Sequence, residues 1–280
     1  MSQCANEECP FCGNMKLDVV FVYTAPPEGE TKFPSLMGGG GYNREVVCCR
    51  VCGHFLSLTT MYMETLYRGE YVDSTYSDRD IQSTFERIIS LPPERSDNAG
   101  RVRRVLDFAA NHFTAAGTAP YRLSVLDVGS GLCVFLHRMK MAGWECTALE
   151  PDPRMGRHAR DIVGVNVIPG DFREVQDIGL FDVITFNKVL EHIKDPISAL
   201  RMASEHLREG GFVYLEVPDG ETATKSGPGR EEFFIEHLHV FSMASLSLLI
   251  ALAGYSGYSI ERLKESSGKF TLCAFIGVGS

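Results

Sequence analysis

From residue 121 onward, short apolar and β-branched runs alternate with segments of helical periodicity. The runs are "RLSVLDVG", "ECTALEP", "NVIPGD", "FDVITFN" and "GFVYLEVP". Between them lie "LCVFLHRMKMAG", "PRMGRHARDI" and "DPISALRMASEHLREGG". The apolar helix "SMASLSLLIALAGY" and a closing strand pair, "SIERLKE" and "KFTLCAFIGV", follow. Continuous apolar strands alternating with helices predict an α/β fold, a parallel sheet covered by helices on both faces. Residues 59–120 predict a connector of two helices, "DRDIQSTFERIIS" and "SDNAGRVRRVLDFAANHF", split by the prolines of "LPPERS". Residues 1–58 carry shorter apolar runs, "LDVVFVY" and "FLSLTT", with "TAPPEGE" and "MGGGGYN" as loops.

With 280 residues and 44% hydrophobic content, the chain suits one main domain and a small appendage. No apolar run approaches the roughly 20 residues that cross a bilayer. The first residues, "MSQCANEECP", show neither a basic flank nor an apolar core, so a cytoplasmic protein without membrane association is expected. A net charge of −9 repels nucleic acid and anionic membranes. The one basic knot, "RVRR" (Arg101, Arg103, Arg104), is expected to be a solvated helix face.

Six of the nine cysteines precede residue 53, which points to a metal site rather than disulfides. "CPFCG" and "CRVCG" are two C-x-x-C knuckles, each trailed by a glycine that permits a tight turn. Cys9, Cys12, Cys49 and Cys52 supply the four thiolates of a closed, structural tetrahedral zinc site. Cys4 and Cys48 are spares, Cys48 competing with Cys49, and His54 fits the spacing worse. Redox chemistry is disfavoured because thioredoxin-like pairs open a helix in a βαβ unit.

"VLDVGSGLCVFL" holds a glycine turn between a strand and a helix. The dinucleotide fingerprint needs a third glycine where Val134 stands, and the Walker A lysine is missing. Asp127 at the strand end repels phosphate and suits a cationic amine, with Gly129, Ser130 and Gly131 forming the turn. Glu150, followed by Pro151, ends the next strand where a carboxylate accepts both hydroxyls of a ribose. Asp171 is placed to receive an adenine amino group, with Phe172 beside the ring, and Asn187 ends the fourth strand near the switch point. Together these strand tips fit S-adenosylmethionine, which has a ribose, an adenine and an amine but no phosphate.

At "LDVGSG", "ALEP", "GDF", "FDVITFNKVLEHIKDP" and "LREGGFVYLEVP" the sequence resembles the class I S-adenosylmethionine-dependent methyltransferases. The resemblance covers residues 121–280 and implies a Rossmann-like sheet; the family's third glycine is Cys133 here. The two knuckles, "LYRGEYVDSTYSDRD", "NKVLEHIKD" and "FFIEHLHVFS" further resemble the sugar C-methyltransferases, which carry an N-terminal zinc-binding domain and act on nucleotide-linked deoxyketosugars. That likeness falls at Tyr71, Ser74, His192, Glu236 and His237, and implies that these line the substrate cleft with His237 as the base. The family's further C-terminal Rossmann-like domain has no counterpart here, and the E-H-L-x-x-F-S pattern also occurs in O-methyltransferases of sugars and other small molecules.

Candidate bases follow the strand tips in two places: Glu191 and His192, then Glu236, His237 and His239. Histidine sits near operating pH without tuning. Capping, backbone hydrogen bonding or core packing would also account for single histidines. The expectation is methyl transfer to a small polar acceptor, foremost a sugar or sugar-derived unit, on oxygen or carbon. His237 is the base, with Glu236, His192 and Tyr71 orienting it or the acceptor. The alternatives are an RNA methyltransferase binding through its zinc ribbon and a non-catalytic cofactor-binding module.

Overall fold

A computed structural model describes residues 7–31, 33, 42–61, 80–115 and 122–279. Two sheets organise them. The smaller is built from β1 (Leu17–Tyr23), β2 (Arg44–Cys49) and β3 (Phe55–Thr59) of the N-terminal segment, with β9 (His239–Val240) from the far end of the chain. The larger holds β4 (Ser124–Val128), β5 (Glu145–Glu150), β6 (Asn166–Pro169), β7 (Phe181–Asn187), β8 (Leu207–Pro218), β10 (Tyr255–Lys264) and β11 (Phe270–Val278). Its seven strands lie in the order β10-β11-β8-β7-β4-β5-β6. β4 to β8 run parallel, and β11 is the antiparallel partner of both β8 and β10. The expected sheet and its closing pair are both present.

Alternation along the central strands divides the core into two layers. Val125, Ala148, Val183, Phe212 and Tyr214 pack on one face with Phe85 of α1 (Asp80–Ile89), against α2 (Asp97–Ala115) and α3 (Val134–Met141). Leu126, Ile184, Phe186, Val213 and Leu215 pack on the other against α4 (Pro196–Ala203) and α5 (Met243–Leu252). Each such fully buried Leu, Val or Phe contributes about 1.5–3 kcal/mol. The helix expected across "DPISALRMASEHLREGG" stops early. Pro196–Ala203 is helical, but Leu207 already pairs with Phe181, so "LREGG" belongs to β8.

The smaller sheet is antiparallel, in the order β1-β2-β3-β9, with β9 paired to Phe55 and Leu56. The cysteine-bearing knuckles also join the main core, where Cys9, Phe11, Cys49 and Cys52 cluster with Phe241 and Leu246. Gly220 shows how close this seam is: a Cβ there would lie 2.4 Å from the Phe55 ring. Among the described residues no helix is long and apolar enough to cross a membrane.

Candidate active site

The turn after β4 is tied to β5 by the Gly129 amide, which donates to the Leu149 carbonyl at 2.8 Å. Gly129 and Gly131 take φ of 65° and 49°, the left-handed region that glycine enters without a Cβ penalty. A Cβ on Gly129 would press within 3.0 Å of Val189, whereas one on Gly131 would meet nothing within 4 Å. The turn therefore exposes backbone to an open crevice at Gly131. Cys133, in the family's third glycine position, holds φ 60° while fully buried. Such a conformation costs an L residue roughly 1–2 kcal/mol.

Glu150 folds back over this turn and accepts from the Gly131 amide at 2.8 Å and the Asp152 amide at 2.9 Å. A carboxylate has about four acceptor sites, so capacity remains on the crevice side. Burial raises its pKa, opposed by those two amides. Pro151 follows it, exposed. Asp127, 2% exposed, accepts from Thr185 Oγ1 at 2.7 Å and from Asn187 Nδ2 at 2.8 Å. Burial pushes its carboxyl up to about 6. The Asn187 carbonyl oxygen is buried with no hydrogen-bond partner among the described residues. Asp127 and Asn187 thus present acceptors at adjacent strand tips, as a cationic amine requires. Ser130 joins the turn through its amide, 3.4 Å from the Leu149 carbonyl.

Asp171 is half-buried and paired with Arg173 at 2.6 Å, which holds its carboxyl below the usual range. Phe172 lies in the core, 3% exposed and edge-to-face on Phe186 at 5.7 Å. Lys188, just past β7, has φ 60° and donates its amide to the Glu216 carbonyl.

His192 and His237 stand together beyond β7, with ring centroids 5.0 Å apart. His192 Nδ1 lies 2.8 Å from the Glu236 carbonyl, and His237 Nδ1 lies 2.9 Å from the Glu232 carbonyl. A carbonyl only accepts, so each Nδ1 carries the proton and each neutral ring keeps its lone pair on Nε2. Burial pushes His192 down to about 4; burial and the neighbouring His192 push His237 well below its ordinary value. Glu191 is 1% exposed, and its Oε2 has no hydrogen-bond partner among the described residues. One carboxylate oxygen of Glu191 and one ring nitrogen of each histidine lie within 4.8 Å of one another. Burial pushes the Glu191 carboxyl up to about 8 and that of Glu236 to about 7. Both acids and both imidazoles are thus biased toward their neutral forms, and burial takes the two histidines below the near-neutral range expected of them from sequence. Tyr71 and Ser74 lie outside the described residues.

The Sγ atoms of Cys9, Cys12, Cys49 and Cys52 all lie within 4.8 Å of one another, with Cys9–Cys52 and Cys12–Cys49 at 3.4 Å. Tetrahedral thiolates about 2.3 Å from a metal stand roughly 3.8 Å apart, so the set fits one ion. Gly13 and Gly53 turn each knuckle with φ of 69° and 68°. Cys48 points elsewhere, toward the Cys49 carbonyl, and His54 is engaged with Ser245 and His239, so neither joins the thiols.

The basic knot departs from expectation. Arg101 and Arg104 are not a solvated face but converge on Glu216, at 2.5 and 2.7 Å. Of the three arginines, Arg103 is the one left exposed. Despite full burial, the two guanidiniums hold the Glu216 carboxyl at about 2. A glutamate inside the apolar run "FVYLEVP" signals this need, since such a residue is almost never buried unpaired.

Comparison with known proteins agrees with this geometry. The chain belongs to the methyltransferase-domain family, which residues 84–260 match. Among curated relatives, a ubiquinone biosynthesis O-methyltransferase of Chromobacterium violaceum is 31% identical over 117 residues, 39% of this chain and 48% of that protein. A tRNA U34 carboxymethyltransferase of Actinobacillus succinogenes is 31% identical over 155 residues, 51% of this chain and 47% of that protein. The chain thus spans about half the length of these relatives. In fold it resembles the magnesium protoporphyrin IX methyltransferase of Synechocystis PCC 6803, with TM-score 0.54 and 14% identity over 77% of this chain and all of that one. It also resembles the 1,6-didemethyltoxoflavin-N1-methyltransferase of Burkholderia thailandensis, with TM-score 0.54 and 16% identity over 85% and 96% of the two chains.

Proposed function

We propose that the protein transfers a methyl group from S-adenosylmethionine to a small polar acceptor of sugar type, at oxygen or carbon, with His237 as the base. The observation that carries this reading is the His192–His237 pair, two neutral imidazoles whose Nδ1 atoms face backbone carbonyls, standing beyond the adjacent tips of β4 and β7 that bear Asp127 and Asn187. The open face at Gly131 and the Asn187 oxygen, without a hydrogen-bond partner among the described residues, fit the cofactor's amino-acid portion, and Glu150 its ribose. Asp171 and Phe172 are assigned to the adenine side. When bound, S-adenosylmethionine supplies an electrophilic methyl group on a sulfonium. The chain's own part is to orient the acceptor in line, exclude water and remove a proton at His237 Nε2. His192, whose ring centroid lies 5.0 Å from that of His237, and Glu236 are assigned to orienting the base or the acceptor, and Tyr71 likewise. The four-cysteine cluster is assigned a structural zinc ion, whose closed thiolate shell leaves no coordination position for chemistry. The N-terminal module, residues 1–58, and the connector, residues 59–120, then frame a catalytic domain from residue 121.

The test is methyl transfer from labelled S-adenosylmethionine to a panel of sugars and nucleotide sugars, with wild type and His237→Ala side by side. Label in a sugar, lost in the variant while cofactor affinity is kept, supports the reading. Full activity in the variant removes His237 from its role. Labelling of tRNA, with binding that weakens steeply as salt rises, would favour an RNA substrate instead.

A further inference from the structure

The stretch that carries Glu236 and His237 has little regular structure of its own. It runs from a single turn at Glu231–Phe233 to β9. Its backbone is gripped from the N-terminal module by a buried ion pair. Arg44 opens β2 with its side chain wholly buried, and the Glu30 side chain is 1% exposed; Arg44 Nη2 lies 3.2 Å from Glu30 Oε1. Neither charge is spent only on the other. Arg44 Nη1 donates to the Phe233 carbonyl at 2.5 Å, and Glu30 Oε1 accepts from the Ile235 amide at 2.7 Å. Tyr42 donates its hydroxyl to Glu30 Oε2 at 2.6 Å. The guanidinium lies 4.2 Å from the Tyr23 ring centroid, and the Tyr23 hydroxyl donates to the Pro228 carbonyl at 2.9 Å. Just past His237, the Ser57 amide of β3 donates to the Leu238 carbonyl at 3.1 Å, and Leu238 donates its own amide to the Glu191 carbonyl at 2.9 Å.

We propose that the Glu30–Arg44 pair is the positioning element that fixes the imidazole of His237, a role that rests on His237 acting as the base. The His237 ring is aimed by its Nδ1–H bond to the Glu232 carbonyl, and the pair holds Phe233, next to Glu232, and Ile235, two residues before His237. Stability alone does not account for the pair. Burying two charges costs several kcal/mol of desolvation per ion, and packed apolar residues often serve as well or better. What an apolar pair cannot supply is a donor for Phe233 and an acceptor for Ile235 across a loop with no ladder of its own. The pair therefore sets geometry, and an error of about 1 Å at a base costs on the order of a hundredfold in rate.

The test compares three full-length proteins. Wild type is set beside Glu30→Leu with Arg44→Met, which removes both anchors at similar volume, and Glu30→Gln, which keeps an acceptor for Ile235. Long-range proton–nitrogen spectra of histidine-labelled protein read the His237 tautomer without any acceptor present, and calorimetry reads S-adenosylmethionine affinity. The double variant is expected to lose the Nδ1–H signature of His237 while binding the cofactor within about twofold of wild type. Its kcat on whichever acceptor the panel labels should fall about a hundredfold, and Glu30→Gln should keep the signature and most of kcat. A folded double variant with an unchanged His237 spectrum overturns the proposal. Should the double variant fail to fold, single Arg44→Met takes its place in the same spectrum: a lost signature supports the proposal and an unchanged one overturns it. If the tautomer shifts as expected but His237→Ala remains active, the positioning holds and the base assignment alone falls.

Discussion

Replacing Glu150 by alanine probes the crevice at the residue that both shapes the turn and faces the ligand. In the folded protein its two oxygens cap the Gly131 and Asp152 amides at 2.8 and 2.9 Å. The remaining acceptor capacity is assigned to the two ribose hydroxyls. Hydrogen bonds to a charged group contribute about 1.5–3 kcal/mol each, so losing two from the ribose, partly replaced by water, should weaken binding by about 3 kcal/mol. At about 1.4 kcal/mol per tenfold, the Kd for S-adenosylmethionine should rise roughly a hundredfold. The fold should lose about 2 kcal/mol as well, because the Asp152 amide is left without its acceptor in a buried site. Isothermal titration calorimetry reads the first quantity and urea unfolding the second. Glu150→Gln keeps the shape but turns an amide N–H₂ toward a backbone N–H, so it should fall between wild type and alanine. Unchanged cofactor affinity in a folded Glu150→Ala protein would refute the ribose assignment, and with it the claim that the acid caps the turn in order to face the ligand.

Four further outcomes are expected. His237→Ala should lower kcat by about 10²–10⁴, the usual share of a general base, with the cofactor Kd unchanged in calorimetry. Native mass spectrometry should find one zinc ion per chain, and Cys9→Ser with Cys52→Ser should abolish it and lower the unfolding midpoint; equal stability of the zinc-free protein would argue against a structural ion. Burial holds His239 down to about 4, so the unfolded chain, titrating near 6.5, takes up its proton first as pH falls. Stability should therefore be full above about pH 6.5 and drop by about 3 kcal/mol from this residue alone as pH approaches 4; a flat urea midpoint between pH 7 and 5 would contradict it. Glu216→Leu strands the Arg101 and Arg104 guanidiniums and should cost about 3–5 kcal/mol in the same assay, whereas an effect under about 1 kcal/mol would mean that solvent already reaches the pair.

The large sheet is legible in the sequence because its central strands β4, β5, β7 and β8 are largely buried on both faces and read as apolar runs. The glycine turn and the acids at the strand tips are legible because their spacing follows the chain, and the four thiols for the same reason. β2 is hidden: "REVVCC" mixes two charged residues with two cysteines that read first as ligands, and its alternation is too short to stand alone. β9 is two residues long and forms only because β3 offers an edge. The fate of the basic residues is illegible for a different reason. Arg101 meets Glu216 across more than a hundred residues, and Arg44 meets the Phe233 carbonyl across nearly two hundred. No local pattern encodes such partners. A charge in a helix is solvated by default, and only tertiary packing withdraws the water.

The shared seam at β9 imposes an order of events on biosynthesis. Phe55 and Leu56 leave the ribosome long before Val240 and His239, their partners. At typical elongation rates the gap is roughly 10–40 s. During that interval the edge of β3 stands bare and Arg44 has no Phe233 carbonyl to meet. The nascent segment must wait, with its thiols accessible to metal or to oxidants, for a dipeptide encoded far downstream.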